Sequence, residues 1–172
     1  MIWVKSRSEN KDWRVYSEGI GNTNSLSLND VGFMVNAGDA WADTNPTEDV
    51  FTVGTNSRVN SAGQSYIAYL FASVPGICDI GSYNGAGGRV DVDCGFTTGA
   101  RFVLIKRTDA DGDWMYFDTL RGITASDSPM LKLNETDAEV TGSYIKPLSS
   151  GFTATGNLTG IDGAEYIYMA IA

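Results

Sequence analysis

The run Asp109-Ala110-Asp111-Gly112-Asp113 sets three carboxylates at alternate positions around a glycine, a pattern that can fold around calcium when oxygen ligands converge on a tight turn. It lacks the distal bidentate Glu of a full EF-hand loop. The related stretch Glu9-Asn10-Lys11-Asp12 carries a lysine where a ligand would stand, so that turn forms without a cation. Two readings stand for Asp109, Asp111 and Asp113: a solvated hairpin turn, or a weak calcium site. No other cofactor is expected. Trp41 lies among Asn, Asp and Gly residues, and an indole in such a loop can stack on the apolar face of a sugar. The competing reading is that Trp41 seals the edge of the core or a subunit contact. Cys78 and Cys94 are each eight residues from Ala86, so a hairpin turning there would set them opposite one another, as a disulfide or as two reduced thiols.

Other chemistry is narrowed by what the chain lacks. Histidine is absent, which removes Ser-His-Asp and Cys-His catalysis and every His-containing zinc site. The 21 acidic residues are spread over turns, and none forms the isolated carboxylate pair of a glycosidase. The Gly-rich stretch Asn84 to Gly88 lacks the Gly-Lys-Ser/Thr ending of a phosphate loop and no helix follows it. The sequons at Asn134 and Asn157 matter only in a eukaryotic secretory pathway, which nothing else supports. A non-enzymatic role is expected.

The elements that would position these residues repeat. Lys5, Asp12, Trp13 and Gly21 return as Lys106, Asp113, Trp114 and Gly122 at an offset of 101. Phe51-Thr52 returns as Phe152-Thr153 at the same offset, Tyr66-Ile67 and Ala72 as Tyr166-Ile167 and Ala172 at 100, and Leu28-Asn29 as Leu133-Asn134 at 105. Short apolar runs bounded by Gly, Asn, Asp and Ser recur, and no stretch of a dozen residues shows helical periodicity. A hairpin is predicted from Ile2-Trp3-Val4 through Asn10 to Trp13–Tyr16, with a counterpart from Phe102 to Phe117. The closing strands Tyr66–Ala72 and Tyr166–Ala172 show little polar alternation, so both faces of each are expected to be covered. The expected architecture is an all-β antiparallel sandwich built from an internal duplication. One domain spans 1–172, with a first copy at 1–72, a connecting cysteine hairpin at 73–100 and a second copy at 101–172.

The chain has 172 residues, enough for a packed core, and its 42% hydrophobic content with 20 glycines and four prolines fits a globular β protein. A net charge of −9 argues against a nucleic-acid partner, because phosphate binding needs clustered Lys and Arg. No apolar run approaches the roughly 20 residues of a membrane span, and no basic-then-apolar signal opens the chain, so cytosolic synthesis without membrane insertion is expected.

The stretch FVLIKRTDADGDWMYFDTLRG (102–122), followed by GFTATGNLTGIDGAEYIYMAIA (151–172), resembles a repeat found in tail-fibre and other virion structural proteins of tailed bacteriophages. IGSYNGAGGRVDVDCGFTTGA (80–100) is similar to the leading hairpin of that repeat. IWVKSRSENKDWRVYSEGIG (2–21) with FTVGTNSRVNSAGQSYIAYLFA (51–72) resembles the same unit without its leader. The resemblance implies a virion location after synthesis in the bacterial host cytoplasm, as a tail fibre, an adhesin or a capsid decoration. It carries no defined site residues. Expected partners are the chain itself, as a trimer or another symmetric array, other virion proteins, and a host-surface glycan or protein; a free carbohydrate-binding module is the alternative.

Overall fold

The computed structural model describes residues 1–156 and 158–172; Asn157, which opens the second sequon, lies outside the described residues. The strands are β1 (Ile2–Ser6), β2 (Arg14–Tyr16), β3 (Asn24–Ser27), β4 (Val35–Asn36), β5 (Tyr66–Leu70), β6 (Cys78–Asn84), β7 (Val90–Asp93), β8 (Phe102–Arg107), β9 (Trp114–Asp118), β10 (Leu131–Lys132), β11 (Ile145–Leu148), β12 (Gly151–Ala154) and β13 (Glu165–Ile171). One helical turn, α1 (Gly38–Trp41), and a 3-10 turn at Glu18–Ile20 complete the regular structure. All strand pairs are antiparallel, in sheets ordered β4-β3-β2-β1-β5, β10-β9-β8-β13-β6 and β11-β12-β7.

The period-two pattern of the strands sorts their side chains into three cores. Trp3, Val15 and Leu26 on one face of the first sheet meet Leu104, Trp114, Ile167 and Met169 of the second, forming the seam of the sandwich. The opposite face of the second sheet, with Val103, Ile105, Phe117 and Tyr168, packs on Val92, Ile145, Phe152 and Ala154 of the third. The opposite face of the first sheet, with Ile2, Val4 and Tyr16, is covered by Ala40 and Trp41 of α1 and by Val59. The layers therefore run α1 and its loops, first sheet, second sheet, third sheet. The second sheet is dry on both faces, which explains the nearly unbroken apolar run of β13.

The first two sheets share strand order and register. β3-β2-β1-β5 in one corresponds to β10-β9-β8-β13 in the other. Pairs Trp3↔Tyr69 and Val15↔Leu26 correspond to Leu104↔Met169 and Tyr116↔Leu131, at the offsets seen in the sequence. Gly21 and Gly122 both have positive φ, at 74° and 114°, as do Gly63 and Gly163, at 74° and 70°, so each pair meets the same backbone demand at its turn. Equivalent faces of the two sheets, bearing Trp3 and Leu104, look at each other across the seam.

Two expectations are corrected here. Residues 73–100 do not form a hairpin: β6 pairs with β13 in the second sheet, while β7 pairs with β12 in the third. The turn between them carries the chain from one layer to the next, and Gly85 is required there because a Cβ would lie 1.9 Å from the Ile161 carbonyl oxygen. The two closing strands also differ. β13 lies between β8 and β6, but β5 has β1 on one side only, and Ile67, Tyr69 and Leu70 are 39%, 46% and 61% exposed. The first half has no counterpart of β6 to cover that edge.

Candidate functional site

The acidic turn is a clamp between the two halves. Asp109 receives both Nε and an Nη of Arg107 at 2.9 Å and accepts the Glu165 amide at 3.1 Å. The Arg107 hydrogen bonds hold its carboxyl down at about 2. Asp111 accepts the Phe33 amide at 3.3 Å, and Asp113 accepts the Asn134 amide group at 2.9 Å and pairs with Lys132 at 3.1 Å. Beneath the turn the fully buried Lys106 ammonium donates to the Gly112 carbonyl and, at 2.7 Å, to the Val31 carbonyl. Desolvation lowers the Lys106 pKa to about 8, against the pull of Asp111, Asp113 and Asp30. Each carboxylate of Asp109, Asp111 and Asp113 thus serves a different internal partner, which supports the turn reading of this stretch, and no group of three or more Asp, Glu, Cys or His placed to hold a metal ion occurs among the described residues.

Trp41 is also corrected as a ligand platform. It ends α1 rather than standing in an open loop, is 2% exposed, and donates its indole N–H to the Asn24 carbonyl at 3.1 Å. Its ring meets Tyr16 edge-on with centroids 5.7 Å apart. Such an indole closes the outer core, and no sugar can reach its face.

The disulfide reading of Cys78 and Cys94 falls with the hairpin. Both thiols are free, and they lie on opposite sides of the second sheet: Cys78 at the seam, Cys94 in the core beneath the third sheet. Burial raises the Cys94 thiol to about 12 and also raises Cys78, so neither is an activated nucleophile.

A feature that the sequence reading passed over is an aromatic cleft of about 510 Å³ at the seam, beside β5. It is lined only by aromatic residues and leucines. Trp3 and Phe71 lie with ring centroids 4.7 Å apart, Trp13 and Tyr69 at 6.0 Å, and Phe102 and Tyr116 at 5.2 Å. The Trp3 indole nitrogen is buried with no partner among the described residues. The readable signal was the aromatic crowding at Trp3, Trp13, Tyr69 and Phe71, but only the meeting of the two sheets brings them together with Phe102 and Tyr116 as a cleft. With no carboxylate, amide or charged group in its lining, the cleft is built mainly to hold apolar groups, its polar atoms being tyrosine hydroxyls and indole N–H groups.

A second, polar cleft of about 180 Å³ includes Arg14, Ser25, Arg58, Asp12 and Asp30. Arg14 is 7% exposed with Nε unpartnered, and the Ser25 hydroxyl is buried without a partner. The two guanidiniums share the cleft with two carboxylates, so its charge is balanced and gives no strong preference for an anion.

These features define a layered β-sandwich whose reactive side chains are mostly engaged internally and which carries an aromatic opening at a sheet edge. The chain belongs to the family described as a domain of unknown function, DUF7483, which it matches over residues 1–172. No curated protein and no solved structure matches it. No helix among the described residues is long and apolar enough to cross a membrane.

Proposed function

We propose that this chain is a non-enzymatic structural protein of a tailed-bacteriophage particle, exposed on its surface as a tail fibre or adhesin and working through assembly and host contact. Capsid decoration is the variant of the same reading. One observation carries it: the residues best suited to chemistry, from Lys106 to Asp113, are bonded to each other, to neighbours in their own half such as Asn134, and to Val31 and Phe33 in the loop between β3 and β4, so they serve the fold. The matching order and register of those sheets support an origin by duplication, and the resemblance of 80–122 and 151–172 to virion repeats supports the location. Self-association as a trimer or other symmetric array would multiply weak surface contacts. The lectin reading loses its basis with the burial of Trp41.

Mass spectrometry and imaging of purified particles test this. The expected result is a fixed, symmetric copy number at the particle surface. Recovery only in the soluble lysate, with none on particles, overturns it.

A further inference from the structure

We propose that the free edge of β5 accepts one extended strand from a different protein, not from a second copy of this chain, paired antiparallel to β5 as β6 is paired to β13. The inference stands on the strand geometry and does not depend on the virion reading.

The second sheet supplies the template. β13 takes β8 on one side and β6 on the other, with seven residue pairs from Glu165↔Asn84 to Ile171↔Cys78. β5 meets β1 in the register that β13 uses with β8, yet its second side is empty. The Ser65 carbonyl accepts from Arg7 and the Phe71 amide donates to Met1, at 2.8 and 2.9 Å. Antiparallel alternation therefore turns the amides and carbonyls of Tyr66, Ala68 and Leu70 outward, where they have no backbone partner among the described residues. The strand has no charge, proline or bulge, the devices that normally blunt an open edge.

The cleft gives a second, independent pointer. In the second sheet, Cys78 and Ile80 of β6 point into the seam. On β5 the residues facing the seam are Ile67 and Tyr69, and Tyr69 lines the aromatic cleft. Alternate side chains of an added strand would enter that cleft as Cys78 and Ile80 enter the seam. The partner is thus an extended segment of at least five residues, apolar at alternate positions, of the kind β6 itself represents. Main-chain bonds would supply affinity and the cleft would select side chains.

The probe is a synthetic peptide with the sequence of residues 77–85, carrying serine in place of Cys78, titrated into the full chain while amide NMR signals are followed. Saturable shifts at Tyr66, Ala68 and Leu70, with changed fluorescence from the cleft tryptophans, are expected. Ala68→Pro removes an outward N–H, which an edge strand tolerates, and should weaken binding at least tenfold. Tyr69→Lys, which leaves the backbone intact, should do the same if the proline variant fails to fold. Three results overturn the proposal: no shift at millimolar peptide, unchanged affinity in the folded variants, or concentration-dependent shifts at these amides without peptide, which would make a second copy of the chain the occupant.

Discussion

Lys106 shows how burial turns a surface residue type into a structural pin. Its ammonium is sealed under the acidic turn and bridges carbonyls from both halves. Its folded pKa, about 8, lies below the ordinary 10.5 because desolvation outweighs the nearby carboxylates. Between those values the unfolded chain holds a proton that the native state has released, so the contribution of this one group to stability rises as pH climbs from about 8 towards 10.5 and then levels off. The buried Cys94 thiol and Tyr168 hydroxyl, both raised by burial, act in the opposite direction in the same window, so the test is a difference: the melting temperature of the native chain should gain on that of Lys106→Met between about pH 8 and 10.5. Asp109 gives a slope of the same sign in an acid window: its depressed pKa contributes stability that is fully present above 3.8 and is lost as pH falls through about 2. The aspartate spacing was visible in the sequence, but the lysine beneath it was not, because Lys106 reads as the polar end of a strand until the facing loop at Val31 is in place.

At the scale of elements, two asparagines do the same work at corresponding places. Asn29 accepts the Trp13 amide and donates to Asp12, both at 3.0 Å; Asn134 accepts the Trp114 amide at 2.7 Å and donates to Asp113 at 2.9 Å. Each ties the end of a hairpin to the strand that follows. Asn134 and Trp114 are less exposed than Asn29 and Trp13, so water replaces the lost bonds less well in the second half. Urea unfolding should show Asn134→Ala costing about 1–3 kcal/mol and Asn29→Ala under about 1 kcal/mol. An equal loss at both positions would contradict this assignment. Hairpins of this kind were legible because apolar alternation and turn residues are local signals. The departure of β6 and β7 into different sheets was not, since a glycine-rich turn looks the same whether its flanking strands pair with each other or with distant partners. The exposure of β5 was hidden for a related reason: its residues resemble those of β13, and only the missing neighbour separates an edge strand from a central one.

For the molecule as a whole, the seam makes the halves interdependent. Trp114 is fully buried there, donates its indole N–H to the Ser27 carbonyl at 2.9 Å, and sits among Val15, Leu26 and Met169. Trp114→Ala removes a large side chain from the face that both sheets share and should cost about 3–5 kcal/mol. Far-UV circular dichroism and tryptophan fluorescence should give one coincident transition in the native chain, because neither five-stranded sheet keeps a dry inner face without the other. Two resolved steps would mean that the halves fold as separate units. The matching landmarks of the two halves were the most readable property of the sequence, whereas the aromatic cleft arises only when the two sheets meet.

The central place of β13 also bears on how the protein comes to be made. The strand that joins β8 to β6 and contributes to two of the three cores, Glu165 to Ile171, follows both of them in the sequence. Until the ribosome has released those residues, β6 and β8 have no common neighbour, and their apolar faces wait uncovered. The body of the sandwich is therefore assembled only once β13 has been made, and a chain cut short before that strand would be a sticky fragment rather than a smaller folded body.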